Sequence, residues 1–191
     1  MREASVSRKT KETDIQVKLN IDGGSIAIST GIGFFDHMLT AFATHAGFGL
    51  EVNVKGDLEV DCHHTVEDTG IVIGQALSKA LGDKVGIERF GNSRVPMDEA
   101  LADAILDISG RPYLVFYADM PQEIIGEYDS CITLEFMRAL STNAGLTLHI
   151  ISDYGENAHH ITEAIYKAVG RALKVATRIT GDKILSTKGA L

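Results

Sequence analysis

The pattern His-His-x-x-Glu occurs twice in this chain, at His63-His64-Thr65-Val66-Glu67 and at His159-His160-Ile161-Thr162-Glu163, and takes up four of its seven histidines. Each copy opens an apolar-periodic stretch of about twenty residues that reads as a helix. Two copies this alike raise the question of duplication, and sliding one half over the other answers it. Phe42-Ala43-Thr44-His45-Ala46-Gly47 lies over Leu140-Ser141-Thr142-Asn143-Ala144-Gly145, and Gly74-Gln75-Ala76-Leu77 over Gly170-Arg171-Ala172-Leu173. The register of the first match differs by two residues from that of the others, a gap that one loop absorbs.

The elements follow the same rhythm. Residues 13–21 alternate as a strand, turn at Asp22-Gly23-Gly24 and return through 25–30, ahead of a helix over 34–46. Residues 50–54 and 58–60 flank Lys55-Gly56-Asp57, a hairpin signal, and a helix then runs over 64–81. The second half reads as strands at 99–108 and 113–118, a helix over 130–143, a strand at 146–151 and a helix over 160–179. The predicted fold is α+β: a tandem ββαβ(β)α unit of about 90 residues, split as 1–92 and 93–191, with two mixed β-sheets flanking a central layer of helices.

Composition excludes several functions. With 191 residues, 45% apolar and 23% charged, the chain has ample material for a core. A net charge of −8 argues against nucleic acid or an anionic membrane as partner, while leaving room for a small anion held by local cations. No stretch approaches the length of a membrane span and the first twelve residues carry no apolar signal region, so the expected compartment is the cytoplasm. Cys62 and Cys131 have no CxxC spacing, and Cys62 reads as a small buried thiol.

Residues four apart share a helix face, so His63 aligns with Glu67 and His159 with Glu163, while His64 and His160 point about 100° away. One ion cannot easily take all three groups of one block. Two ions, each drawing imidazoles and a carboxylate from several segments, are the economical solution. That donor mixture suits Mn²⁺ or Fe²⁺, with Zn²⁺ also in range. His37 is a further candidate, and the duplication pairs it with Glu135; His45 pairs with Asn143, and His149 lies in an apolar strand and reads as structural. A dimetal hydrolase or a non-catalytic metal-binding assembly would use similar ligands.

Thr10-Lys11-Glu12-Thr13, the run from Ser29 to Leu39, Asp61-Cys62-His63-His64-Thr65-Val66-Glu67-Asp68, Arg89-Phe90-Gly91, Ser109-Gly110-Arg111-Pro112-Tyr113, Asn157 to Ala164 and Ser186-Thr187-Lys188-Gly189 closely resemble the imidazoleglycerol-phosphate dehydratase family. The resemblance implies dehydration of imidazole-glycerol phosphate to imidazole-acetol phosphate in histidine biosynthesis, for which the expected route is a metal-bound imidazolate. It also implies two Mn²⁺ per active site and a 24-subunit assembly with sites between subunits. By position, the implied ligands are His37, His63, His64, Glu67, His159, His160 and Glu163, with Glu135 standing where the family often has histidine. Arg89, Arg111, Lys167, Ser186, Thr187 and Lys188 are the implied phosphate-binding residues, and His45 is expected on the substrate side. Glu12 is the implied acid–base residue, with Glu67 and Glu163 as further proton shuttles.

Overall fold

The computed structural model describes residues 2–189. In chain order the elements are β1 (Glu3–Lys9), β2 (Thr13–Asn20), β3 (Ile26–Ser29), α1 (Gly33–Ala46), β4 (Gly49–Gly56) and α2 (His63–Leu81). The second half repeats that order as β5 (Phe90–Met97), β6 (Ala100–Asp107), β7 (Tyr113–Tyr117), α3 (Ile132–Ala144), β10 (Thr147–Tyr154) and α4 (Ala158–Ala176). A small ribbon, β8 (Ile124–Ile125) with β9 (Tyr128–Asp129), is added before α3.

The two main sheets have the same topology. The first runs β1-β2-β4-β3 and the second β5-β6-β10-β7, each antiparallel except for its last pair, β3 with β4 and β7 with β10. The register repeats as well: Gln16 lies opposite Asn53 on β4, and Asp103 opposite Ile151 on β10. In the first sheet one face is apolar, with Ile15, Val17 and Leu19 on β2 and Leu50 and Val52 on β4 all buried. The helices cover these faces. α2 lies on β1 and β2 and packs along α3, while α4 lies on β5 and β6 and packs along α1. This is the predicted layering, with each helix pair joining one helix from each half.

Glycines make the crossings close. A Cβ on Gly74 would sit 2.8 Å from the Leu140 carbonyl oxygen, and one on Gly170 would sit 2.5 Å from that of Phe42. These are the pairs matched by the duplication, so the same contact is made twice about an internal two-fold. The second sheet holds its helix more tightly: Ala102 and Ala104 replace the bulkier Ile15 and Val17, and a Cβ on Gly91 would meet the Ala172 carbonyl oxygen at 2.0 Å.

Three expectations change. Residues 25–30 do not form a hairpin with β2, because β4 lies between β2 and β3. The Lys55-Gly56-Asp57 hairpin is absent: β4 runs on through Gly56, which pairs with Thr13, and Leu58–Val60 leave the sheet as an exposed turn. Gly56 is there for a different reason, since a Cβ would lie 2.0 Å from Thr65 Oγ1 at the start of α2. Finally, β1 and β5 are strands that periodicity does not reveal. Both are edge strands; β1 buries only Val6, and β5 carries Pro96, which an edge tolerates. Residues 92 and 93 both lie within β5.

Candidate active site

Each His-His-x-x-Glu block sits at the first turn of a helix that starts in a defined way. Asp61 accepts from the His63 backbone N–H at 2.7 Å before α2, and the Asn157 side chain accepts from that of His160 at 3.2 Å before α4. The spacing argument holds: His63 Nε2 is 3.3 Å from Glu67 Oε2, and His159 Nε2 is 3.2 Å from Glu163 Oε2. In each block the neighbouring ring is turned away, with His63–His64 and His159–His160 centroids 6.2 and 5.9 Å apart.

The α4 block is the more complete. His37, from the first turn of α1, brings Nε2 to 3.5 Å from Glu163 Oε2, because α1 and α4 pack side by side. One donor atom each from His37, His159 and Glu163 lies within 4.8 Å of the others, a spacing one ion can span. Lys167 reaches the other carboxylate oxygen, Nζ to Oε1 at 2.6 Å, one turn further along α4. Glu163 is buried, which raises its pKa, but Lys167, His37 and His159 outweigh burial and hold it below the ordinary value. His45, at the other end of α1, is half-buried; burial lowers its pKa first, and the Lys167 and Arg171 charges lower it further.

Around the α2 block the same motif stands open. Glu67 is 41% exposed and pairs among the described residues with His63 alone, and its helix carries Ile71 where α4 carries Lys167. Glu135, the counterpart of His37, turns to Arg138 on its own helix. Among the described residues the three-donor cluster of the α4 block has no equivalent here. Cys62 is partly buried beside His63.

His64 and His160 are each held by a carboxylate. His64 Nδ1 is 2.9 Å from Asp57 Oδ2, and His160 Nδ1 is 2.6 Å from Glu99 Oε2. These hydrogen bonds raise both histidines above the usual imidazole value, Asp57 acting on the first and Glu99 on the second. Glu99 also accepts from the Glu156 and Asn157 backbone N–H groups, and with His160 they bring its pKa down to about 2. Glu12 is exposed, with Oε1 4.0 Å from His64 Nε2. Sequence reasoning did not find Asp57, Asp98 or Glu99. The signal for Glu99 lay in strand register: Glu12 immediately precedes β2, and Glu99 immediately precedes β6.

The basic residues gather elsewhere. Arg89, Arg111, Ser186, Thr187 and Lys188 line an open cleft of about 940 Å³, and no histidine is among the described residues lining it. Lys167 is not there; it belongs to the Glu163 cluster. Arg89 has a left-handed backbone (φ 72°) and is fixed by Asp107, Nε to Oδ1 at 2.7 Å and Nη2 to Oδ2 at 3.0 Å. Arg111 stays largely in solvent, 3.8 Å from the same carboxylate. His149 is exposed on β10. No helix among the described residues is long and apolar enough to cross a membrane.

Comparison with known proteins identifies the family. The family model described as imidazoleglycerol-phosphate dehydratase matches residues 30–173. A protein of that name from Acetivibrio thermocellus is 57% identical, over 100% of this chain and 99% of its own length. One from Methanosarcina barkeri is 55% identical, over 100% of both. The crystal structure of the Pyrococcus furiosus protein, in complex with (S)-C348, superposes with a TM-score of 0.86 at 40% identity, covering 97% of this chain and 100% of that one. The Staphylococcus aureus structure gives 0.85 at 42% identity, covering 93% and 99%. Family model, full-length relatives and solved structures agree, and the chain belongs to the imidazoleglycerol-phosphate dehydratase family.

Proposed function

We propose that this chain is a manganese-dependent hydro-lyase that converts imidazole-glycerol phosphate to imidazole-acetol phosphate and water in histidine biosynthesis. Family membership supports the reaction, and the convergence of His37, His159 and Glu163 is the observation that carries the metal dependence. Two imidazoles and a carboxylate are a donor set that manganese accepts. Bound there, Mn²⁺ would supply positive charge that favours an anionic imidazole ring on the substrate over a neutral one. His37, His159 and Glu163 would hold one ion together, and His63, Glu67, His64 and His160, with Glu135 as an oxygen donor, would supply the remaining ligands of the two ions.

The reaction removes a hydroxyl from the carbon attached to the ring and a proton from the next carbon, giving an enol that ketonises. Glu12 is the chain's acid–base group for this step: an exposed carboxylate with no lysine or arginine paired to it among the described residues, beside a ligand histidine. Glu67 and Glu163 are secondary candidates for moving protons. Lys167 holds Oε1 of Glu163, so that Oε2 faces the two imidazoles. The guanidinium of Arg111 and the ammonium of Lys188, with the hydroxyls of Ser186 and Thr187, suit a phosphate dianion; Arg89, tied to Asp107, shapes the cleft wall. His45 would complete the substrate side near Lys167.

We also propose a homo-oligomer of 24 subunits in the cytoplasm, with each site shared between subunits. The open α2 block, and the separation of the phosphate cleft from the histidines within one chain, support shared sites. Both cysteines are unpaired, as a reducing compartment requires. The direct test is turnover of imidazole-glycerol phosphate by chelator-stripped protein before and after Mn²⁺ addition. Product that forms only with the metal supports the reading. Equal turnover in both samples, or none in either, contradicts it. Hydrolysis of phosphate esters lacking the imidazole ring would favour the dimetal hydrolase instead.

A further inference from the structure

Glu12 and Glu99 occupy the same position in the two halves, one residue ahead of the second strand of each sheet, and each faces the second histidine of its block. Their environments differ. Glu12 stands 4.0 Å from His64 and makes no other ion pair among the described residues. Glu99 is engaged at both oxygens: Oε2 meets His160 Nδ1 at 2.6 Å, and Oε1 accepts from the backbone N–H groups of Glu156 at 3.1 Å and Asn157 at 2.9 Å. In the first half the matching role falls to Asp57, from the end of β4, whose Oδ2 meets His64 Nδ1 at 2.9 Å.

We propose that Asp57 and Glu99 are positioning residues that hold His64 and His160 in the tautomer with the proton on Nδ1, leaving each Nε2 lone pair free for a metal ion. A carboxylate accepts only, so the ring nitrogen facing it carries the hydrogen. The rings are also turned so that Nε2 looks away from the supporting carboxylate, towards Glu12 in one block and Asp98 in the other. A carboxylate behind a ligand histidine fixes its orientation and strengthens it as a donor. Duplication therefore divided one ancestral position between two tasks: at Glu12 the carboxylate stays free for the reaction, and at Glu99 it supports a ligand.

This inference rests on the metal reading, and the test separates the two by measuring Mn²⁺ binding alone, without substrate. The measurement is calorimetric titration of the stripped assembly, with its size checked by light scattering. Glu99→Gln is the informative variant. Its amide oxygen can still accept from the two backbone N–H groups, which keeps the start of α4, but its NH₂ then faces Nδ1 and disfavours the required tautomer. The expected result is a loss of affinity of about 10- to 100-fold at one class of site, with unchanged assembly size and thermal midpoint.

Asp57 has a buried Oδ1 with no partner among the described residues, so Asp57→Asn can turn its oxygen to His64 and should lose less affinity than Asp57→Ala. Wild-type protein that takes up no Mn²⁺ would overturn the metal reading and this inference with it. Wild-type protein that binds normally, beside Glu99→Gln and Asp57→Ala with unaltered affinity, would overturn this inference alone. A fall in thermal midpoint without a change in affinity would mean that Glu99 only caps α4.

Discussion

The first turns of α2 and α4 carry the same five-residue pattern, yet they are different places. At α4, Glu163 is buried, shares its oxygens between Lys167 and two histidines, and draws His37 in from α1. At α2, Glu67 is half in solvent, with one histidine beside it. The motif and its helical spacing are identical, so the difference comes from neighbours: lysine against isoleucine one turn later, and His37 against a Glu135 that is occupied by Arg138. A local pattern supplies ligand types and their direction. What turns them into a compact donor set is the helix packed alongside.

The largest expected effect tests the division of labour between the halves. Glu12→Gln should lower kcat by about 10²- to 10⁴-fold with manganese content unchanged, measured by steady-state kinetics and metal analysis of the same preparation. Unchanged turnover would remove Glu12 from the chemistry and leave the two halves without a functional asymmetry. The α4 and α2 blocks should also respond differently to loss of charge. Lys167→Met strands a buried carboxylate and should cost about 1–3 kcal/mol in urea unfolding of the metal-free protein. Glu67→Gln, at an exposed position, should stay within about 0.5 kcal/mol while lowering metal uptake. Equal destabilisation by both would mean that the two blocks are similarly buried in solution.

The paired helix crossings give a comparison in which the halves should behave alike. Gly170→Ala and Gly74→Ala should each destabilise by about 1–3 kcal/mol, the first more because its Cβ comes closer to the facing carbonyl. Gly33→Ala, with nothing within 4 Å, should be neutral or slightly stabilising by the same unfolding measurement. The smallest effect is expected for His149→Gln. This histidine lies outside both blocks, so the change should shift stability by no more than about 0.5 kcal/mol and leave metal content intact.

Much of this architecture was legible because its signals are local. Helical periodicity located all four helices, and the matched Phe42 and Leu140 segments turned out to be the carbonyls that face Gly170 and Gly74. Of the strands that stayed hidden, β1 and β5 are edges with little buried surface, so alternation is weak in them. Glu99 was read only as the start of a strand, and its kinship with Glu12 is visible only once β2 and β6 are aligned as the second strands of their sheets. Gly56 misled for a similar reason. A glycine flanked by Lys and Asp reads as a turn, whereas here it gives Thr65 room, a demand set by tertiary packing. Lys167 was grouped with the phosphate-binding residues, and its place beside Glu163, apart from the residues lining the Arg111 and Lys188 cleft, could not be read from residue type.

The most direct test of the account is stepwise addition of Mn²⁺ to stripped protein, with bound metal and turnover of imidazole-glycerol phosphate read from the same samples. The account predicts saturation at two ions per protomer, with full turnover reached only as the second is taken up. Full turnover at one ion or none, or continued uptake well beyond two without turnover, would contradict it.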